Sequence, residues 1–160
     1  MRKRTVSIML ALVITSASIS FTACGEDQIK FVKQKVVDLS IYTDAGLQLC
    51  SEFERDKILT PDQAQTARAA LTQIKDTLGI FIERAKSYTK IDLSSRAELA
   101  RLFGDVVAGV REVISKAKPL IVAALTALGV QDAEKLLSKA SVLFTAIETT
   151  TRLIESRLTN

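Results

Sequence analysis

The chain has 160 residues, the length of a single domain, with two cysteines but no histidine and no tryptophan. Its 22 lysines and arginines exceed its 18 acidic residues, which gives a formal net charge of +4. Without histidine it cannot build the Glu-x-x-His metal sites of ferritin-like bundles, and it lacks the commonest general base near neutral pH. It also has no glycine-rich phosphate loop. The composition therefore predicts a protein that is not an enzyme and that uses no metal or cofactor.

The first 23 residues have the pattern of a segment that directs export. Arg2, Lys3 and Arg4 form a basic start, and residues 5–20 are apolar or small and carry no charge. A transmembrane anchor is the alternative, because residues 5–23 are just long enough to cross a bilayer at ~1.5 Å per residue. The second half of the segment is rich in serine, threonine and alanine, which is typical of a cleavage region. We therefore expect residues 1–23 to be removed as a signal peptide.

The sequence around Cys24 indicates where cleavage occurs. Cutting after Ala23 would leave bulky Phe21 at a position where the peptidase that releases a free amine favours a small residue. The stretch FTAC, residues 21–24, instead resembles the lipobox of bacterial lipoproteins, with Phe21 where leucine is usual. The resemblance covers the signal segment only. It implies that Cys24 carries a diacylglycerol and an acyl chain such as palmitate, and that these hold the protein at a bacterial membrane, facing the periplasm or the exterior.

Removal of residues 1–23 changes the charge of the protein. The segment takes three of the 22 basic residues and no acidic one, so 19 basic groups remain against 18 acidic groups, a net charge of +1. A nucleic-acid-binding protein needs a basic face, whereas charges of both signs are interspersed here. We therefore expect no nucleic-acid partner.

A first helix is predicted over residues 27–55, after a short tether at residues 24–26. Cys50 lies on its apolar face, where we expect a buried side chain. Geometry argues against a disulfide with Cys24, because residues 27 and 50 of such a helix lie ~35 Å apart and a disulfide needs Cα atoms within ~7 Å. An intermolecular bridge through an exposed Cys50 is the alternative. The apolar face recurs at steps of three and four and consists of Ile29, Val32, Val36, Leu39, Thr43, Gly46, Cys50 and Phe53.

A second helix is predicted to begin at Pro61. Thr60 and Gln63 have the spacing of a capping box, and Asp62 adds a negative charge near the positive end of the helix dipole. The regular 3-4 spacing of its apolar face is typical of antiparallel packing. That face consists of Ala64, Ala67, Leu71, Ile74, Leu78, Phe81, Ala85 and Tyr88.

A third helix is predicted to begin near residue 92, with Ser95 and Glu98 as a second capping box. Pro119 has no N–H and disfavours a helical Lys118, so we expect a kink or break there. A short helix then runs to about residue 128 and is ended by Gly129. The apolar face before Pro119 consists of Leu99, Leu102, Phe103, Val106, Val110, Val113, Ile114 and Ala117.

Residues 119–130, PLIVAALTALGV, are apolar around the whole circumference of this short helix. Such a helix is either buried or faces something apolar. One interpretation is that it covers the core of the bundle. The other is a partner-facing or membrane-facing patch, which cannot span a bilayer because its length is ~18 Å against a ~30 Å hydrocarbon core. The residues of that patch are Leu120, Ile121, Val122, Leu125 and Leu128.

A fourth helix is predicted over residues 132–157, with Asp132 as its N-cap and with Thr151 bonded to its own backbone. Short connections make sequential helices antiparallel, so we predict an all-α fold, a single up-down-up-down four-helix bundle over residues 27–160. The apolar face of the fourth helix consists of Ala133, Leu137, Ala140, Leu143, Phe144, Ile147, Thr151, Ile154 and Leu158.

Two functions fit these features. The first is a non-enzymatic lipoprotein of the bacterial envelope whose bundle binds a protein partner or stabilises an assembly. The second is a carrier of a small apolar ligand with a cavity inside the bundle. Small residues on the apolar faces leave space for such a cavity, or let the helices pack closely, which is the commoner outcome in protein interiors. They are Gly46, Ala64, Ala67, Ala85 and Ala140.

Overall fold

The computed structural model describes residues 25–128 and 133–160, and in this part of the chain the protein is entirely helical. Cys24, the signal segment and the predicted caps Gly129 and Asp132 lie outside the described residues. Four long helices pack against each other, as predicted, and a π-helical turn at Val113–Ala117 joins the third to a shorter helix. The helices are α1 Gly25–Arg55, α2 Pro61–Lys86, α3 Leu93–Glu112, α4 Lys118–Leu128 and α5 Ala133–Thr159.

The first turn of α1 is fixed against the segment that connects α2 to α3. The N–H of Ile91 donates to the carbonyl oxygen of Gly25 at 3.0 Å. A Cβ at position 25 would lie 2.5 Å from the carbonyl oxygen of Ile91, so this close approach requires glycine. α1 includes Gly25 and Glu26, which lie before the predicted start at residue 27, so these two residues are helical rather than part of a tether.

The predicted apolar faces form the core of the protein. All eight predicted positions of α1 are buried, and Leu49 joins them. In α2 seven of the eight are buried and Tyr88, just beyond the helix end, is half-buried. The rings of Phe81 and Phe103 meet edge to face between α2 and α3, with centroids 5.2 Å apart. Periodicity alone therefore located most of the buried side chains.

The small residue Gly46 lets α1 approach its neighbour closely, as the sequence indicated. A Cβ placed there would lie 3.1 Å and 3.2 Å from the two δ-carbons of Leu71 in α2. Gly109 of α3 has a similar role, since its added Cβ would lie 3.1 Å from Cγ1 of Ile74. At both positions the space beside the glycine is filled by a side chain of the facing helix.

The start of α2 matches its sequence signal. The N–H of Gln63 donates to the Thr60 hydroxyl at 3.3 Å, and the N–H of Thr60 donates to the Gln63 side chain at 3.0 Å. The predicted capping box is therefore confirmed, with Pro61 as the first helical residue.

The predicted cap of α3 is wrong. Asp92 is the N-cap: its carboxylate accepts from the N–H of Ser95 at 2.8 Å, and the Ser95 hydroxyl accepts from the N–H of Asp92 at 2.9 Å. Ser95 is thus the third helical residue, and Glu98 binds Arg84 and Tyr88 instead of the helix start. The hydrogen bonds from Ser95 hold the pKa of Asp92 below its usual value. Its stabilising effect is therefore complete above the unfolded-state pKa and is lost as the pH falls through the folded-state pKa.

The end of α3 passes into α4 through the π-helical turn, which ends two residues before Pro119. The N–H of Lys118 donates to the carbonyl oxygen of Val113, five residues earlier, which is the hydrogen bond that defines a π-helix. α4 is described as far as Leu128, and its predicted cap Gly129 lies outside the described residues.

The last helix, α5, continues to Thr159, two residues beyond the predicted end. Thr151 is 3% exposed, and its hydroxyl donates to the carbonyl oxygen of Ile147 at 2.8 Å. This confirms the predicted bond to its own backbone. The other buried members of its predicted apolar face are Ala140, Phe144, Ile147, Ile154 and Leu158.

Candidate functional site

The residues that the sequence singled out for binding lie in two places. Cys24 lies outside the described residues, directly before Gly25. In α4, Ile121 and Leu125 are each 1% exposed and belong to the core, and Leu120 and Val122 are half-buried. The side chain of Leu128 lies outside the described part of the chain.

The exposed side of α4 is made of small or short side chains: Pro119, Ala123, Thr126 and Ala127. Thr126 donates its hydroxyl to the carbonyl oxygen of Val122 at 2.8 Å, so its polar group is already bonded within the helix. Residues on every side of this helix are apolar, yet the large side chains of Ile121 and Leu125 are buried in the core. In the structure α4 is mainly a core element packed on α5 and on the π-helical turn.

A groove of about 310 Å³ lies between α3, the π-helical turn and α5, and we call it the α3–α5 groove. Its apolar lining comes from Val107, Val110 and Ile114, of which the first two are buried and the third is half-buried. Its volume is at the lower end of the range of small-ligand sites. The charged residues around it are Arg111, Glu148, Arg152 and Glu155.

The polar groups of the α3–α5 groove are mostly engaged with their own helices. Arg152 donates to Glu148 one turn earlier at 2.5 Å. The hydroxyl of Ser115 donates to the carbonyl oxygen of Glu112 at 3.1 Å, as that of Thr151 does to Ile147. Neither hydroxyl is bonded to a side chain that could take its proton. The groove is therefore suited to hold an apolar group between charges of both signs rather than to activate a nucleophile.

A second polar cluster connects the end of α2 to α3. Arg84 donates to both oxygens of Glu98, at 2.6 Å and 3.0 Å, and the hydroxyl of Tyr88 also donates to this carboxylate. Arg84 and Tyr88 together hold the pKa of Glu98 below its usual value, while Glu98 raises the pKa of Tyr88. A carboxylate held in its ionised form in this way is a weak base, so the cluster fastens α2 to α3 rather than moving protons.

Four further carboxylates lie off the predicted apolar faces of their helices. Asp105 and Glu134 are exposed, and Glu112 and Glu148 are half-buried. Lys116 pairs with Glu112 at 2.7 Å, one turn apart on the helix. Pairs of this kind contribute only a few tenths of a kcal/mol to a helix.

Cys50 is the buried thiol of α1 and is 1% exposed. Burial raises its pKa to about 11, so very little thiolate is present near neutral pH. α1 is continuous from Gly25 to Arg55, which puts Gly25 ~37 Å from Cys50 and keeps the preceding Cys24 far out of disulfide range.

We expect Cys50 to resist alkylation in the folded protein. In a Cys24→Ser variant, which leaves Cys50 as the only thiol in the chain, a maleimide reagent should react within minutes in urea but not in native buffer. Mass spectrometry of the labelled protein measures the extent of reaction. A rapid reaction in native buffer would mean that the thiol is not buried as described.

Within residues 25–128 and 133–160 there is no cluster of three or more potential ligand side chains close enough to hold a metal ion. None of the helices described is long and apolar enough to cross a membrane. Comparison with known proteins found no match to this chain among family models, curated proteins or solved structures. Its function has to be argued from its own residues.

Two features of this surface were missed in the sequence. The α3–α5 groove is lined by both Arg111 and Arg152. These residues lie on different helices, far apart in the chain, and no sequence pattern indicates that they come together. Leu93 is 87% exposed at the first position of α3. Recognition of Asp92 as the N-cap would have indicated the position of Leu93, because that cap makes Leu93 the first residue of the helix.

Proposed function

We propose that the mature protein is a non-enzymatic lipoprotein of the bacterial envelope, exported and held at a membrane by lipid on Cys24, which acts by binding a protein partner. The observation that carries this proposal is the lipobox-like FTAC at residues 21–24, behind a basic start and an uncharged apolar run and ahead of the packed helices. Cleavage before Cys24 would remove the signal segment and leave the fold complete. Lipid on Cys24 would then hold the helices that follow it in the chain at a membrane.

In this proposal the four packed helices have the up-down-up-down topology. Contacts between neighbouring helices support it, because residues early in one helix meet residues late in the next. Such pairs are Lys33 with Tyr88, Glu54 with Arg68, Arg84 with Glu98, Phe31 with Arg157, and Glu52 with Lys139.

We also propose that the third long helix kinks near Pro119. The π-helical turn supports this, because π-turns and prolines are the usual causes of helix kinks and Pro119 follows two residues after the turn ends. Pro119 has no N–H to continue the hydrogen-bond ladder, and Lys118 bonds five residues back rather than four.

The proposed contact for the partner is the α3–α5 groove. It combines an apolar lining with charges of both signs at its edges, the composition expected where an apolar side chain of a partner is received. It also adjoins the π-helical turn, and π-turns are frequent at functional sites. The patch predicted on α4 is a weaker candidate, since Ile121 and Leu125 are used by the core.

The packing of the small residues favours this function over that of an apolar ligand carrier. The space beside Gly46 is filled by Leu71, and Ala64, Ala67 and Ala85 are at most 2% exposed in the same core. A carrier would need an enclosed apolar cavity at these positions, whereas the α3–α5 groove opens at the surface beside charged residues.

Mass spectrometry of the protein from the membrane fraction of a bacterial host tests the anchor. We expect Cys24 at the N-terminus with its lipid attached and residues 1–23 removed. An unmodified Cys24, or a signal segment retained in the purified protein, would contradict the proposal.

Site-specific photo-crosslinking tests the partner contact. We expect a crosslinker at Ser115, which lines the groove, to give a discrete adduct in intact cells. The matched control is a crosslinker at Thr72, an exposed position of α2, which should give none. Identical adducts at both positions, or none at Ser115, would show that the groove does not hold a partner.

A further inference from the structure

The end of the protein next to Cys24 exposes a large apolar side chain. Gly25 begins α1 at this end, and its carbonyl oxygen is bonded to the N–H of Ile91 at 3.0 Å. Leu93 follows two residues later, at most ~7 Å from Ile91 along the chain. Its side chain is 87% exposed, more than any other large apolar side chain in the described part of the protein.

We infer that this end of the bundle rests on the lipid surface and that Leu93 inserts into it. The inference rests on the proposed lipid anchor at Cys24. No residue separates Cys24 from Gly25, and consecutive Cα atoms are ~3.8 Å apart, so lipid on Cys24 holds the Gly25 end at the headgroups. The bond between Gly25 and Ile91 fixes the segment that carries Leu93 to the same end.

The occupant of this surface is the lipid that anchors the protein rather than an anionic partner. Exposed charges of both signs lie on the chain segments that meet at this end, with Glu26 and Asp27 in the first turn of α1 and with Lys86 and Lys90 at and just beyond the end of α2. Because these charges offset each other, electrostatic attraction gives little preference for an anionic surface. Burial of the leucine side chain in the acyl region supplies the favourable term instead.

The absence of tryptophan from the chain permits a direct test. A Leu93→Trp variant carries one reporter at the proposed contact, at a position exposed enough to accept the larger ring. The matched control is Ile41→Trp, at an exposed position 59% accessible on the continuous helix α1. Position 41 is ~24 Å from Gly25 along that helix, well away from a surface at the Gly25 end.

Each lipidated variant is purified as the full processed chain and reconstituted into phosphatidylcholine vesicles, with and without bromine on the acyl chains. We expect the indole emission of the Leu93→Trp variant to shift to the blue and to lose most of its intensity in brominated vesicles, while that of the Ile41→Trp variant is unaffected. Unquenched emission from vesicle-bound Leu93→Trp protein would overturn the inference. Equal quenching in both variants would overturn it as well, since the bundle would then lie along the surface.

The mass of each purified variant separates this test from the test of the anchor. If Cys24 is unmodified the proposed function fails, and a maleimide lipid coupled to Cys24 then supplies the tether for the quenching measurement. Cys50 does not compete for the reagent because it is buried. The quenching of the Leu93→Trp variant relative to the Ile41→Trp variant therefore supports or overturns the inference in either case.

Discussion

Replacement of Phe81 by alanine is expected to lower the free energy of unfolding by about 3–5 kcal/mol. Phe81 is 0% exposed, and its ring meets that of Phe103 edge to face, with an angle of 66° between the planes. The loss combines the transfer free energy of the ring with the cavity it leaves between α2 and α3. The free energy of unfolding of a whole domain is only about 5–15 kcal/mol, so this single substitution removes a large share of it.

Urea unfolding followed by circular dichroism measures the effect. The control is Ile80→Ala on the same helix, where the side chain is 62% exposed, and it should change stability by no more than about 0.5 kcal/mol. Phe103→Ala alone and combined with Phe81→Ala completes a double-mutant cycle, with an expected coupling of about 0.5–1.5 kcal/mol. Equal losses for Phe81→Ala and Ile80→Ala would contradict the described core.

The parts of the fold that depend on short-range pattern were predictable from the sequence. Val32, Leu78 and Ile154 were each assigned to an apolar face by spacing, and each is completely or almost completely buried. The Thr60 cap was equally local, because both of its partners lie within one turn. Where a signal and its partner lie in the same few residues, tertiary structure has little opportunity to override it.

The cap of α3 was assigned wrongly because its outcome depends on another helix. Both Asp92 and Ser95 are suitable N-caps, and the spacing of Ser95 to Glu98 favoured the second. In the folded protein Glu98 is bound by Arg84 and Tyr88, which lie at and just beyond the end of α2. No local rule could foresee that this carboxylate would be used between helices.

The candidate site was only partly predictable for the same reason. Cys24 is proposed from the stretch FTAC, a signal contained in four consecutive residues. The α3–α5 groove exists only once α3 and α5 lie side by side, so the sequence did not indicate it. Hydropathy also could not show which side of α4 is buried. Ile121 and Leu125 are buried and Ala123 and Ala127 are exposed, although all four residues are apolar.

Replacement of Cys24 by serine, in a chain whose residues 1–23 are exchanged for a signal peptide cut by the peptidase that releases a free amine, is expected to move most of the protein from the membrane fraction to the soluble fraction of the host. Each buried CH₂ group of an acyl chain contributes ~0.8 kcal/mol, so several chains on one residue hold the protein firmly. Without them, Leu93 alone supplies about 1.5–3 kcal/mol, which is less than one acyl chain and too little for stable attachment. Fractionation with immunoblotting measures the distribution, and the mass of the protein reports the missing lipid.

Cys50→Ser is the matched control, because it removes the other cysteine without touching the anchor. That variant should stay in the membrane fraction but unfold more easily, since a hydroxyl replaces a thiol that is 1% exposed in the core. Cys24→Ser should show the opposite behaviour, with its location changed and its helical spectrum retained, because the substitution leaves the helices from Gly25 onward unchanged. If Cys24→Ser stayed in the membrane fraction, the anchor would have to lie elsewhere, and a retained signal segment would become the explanation to test.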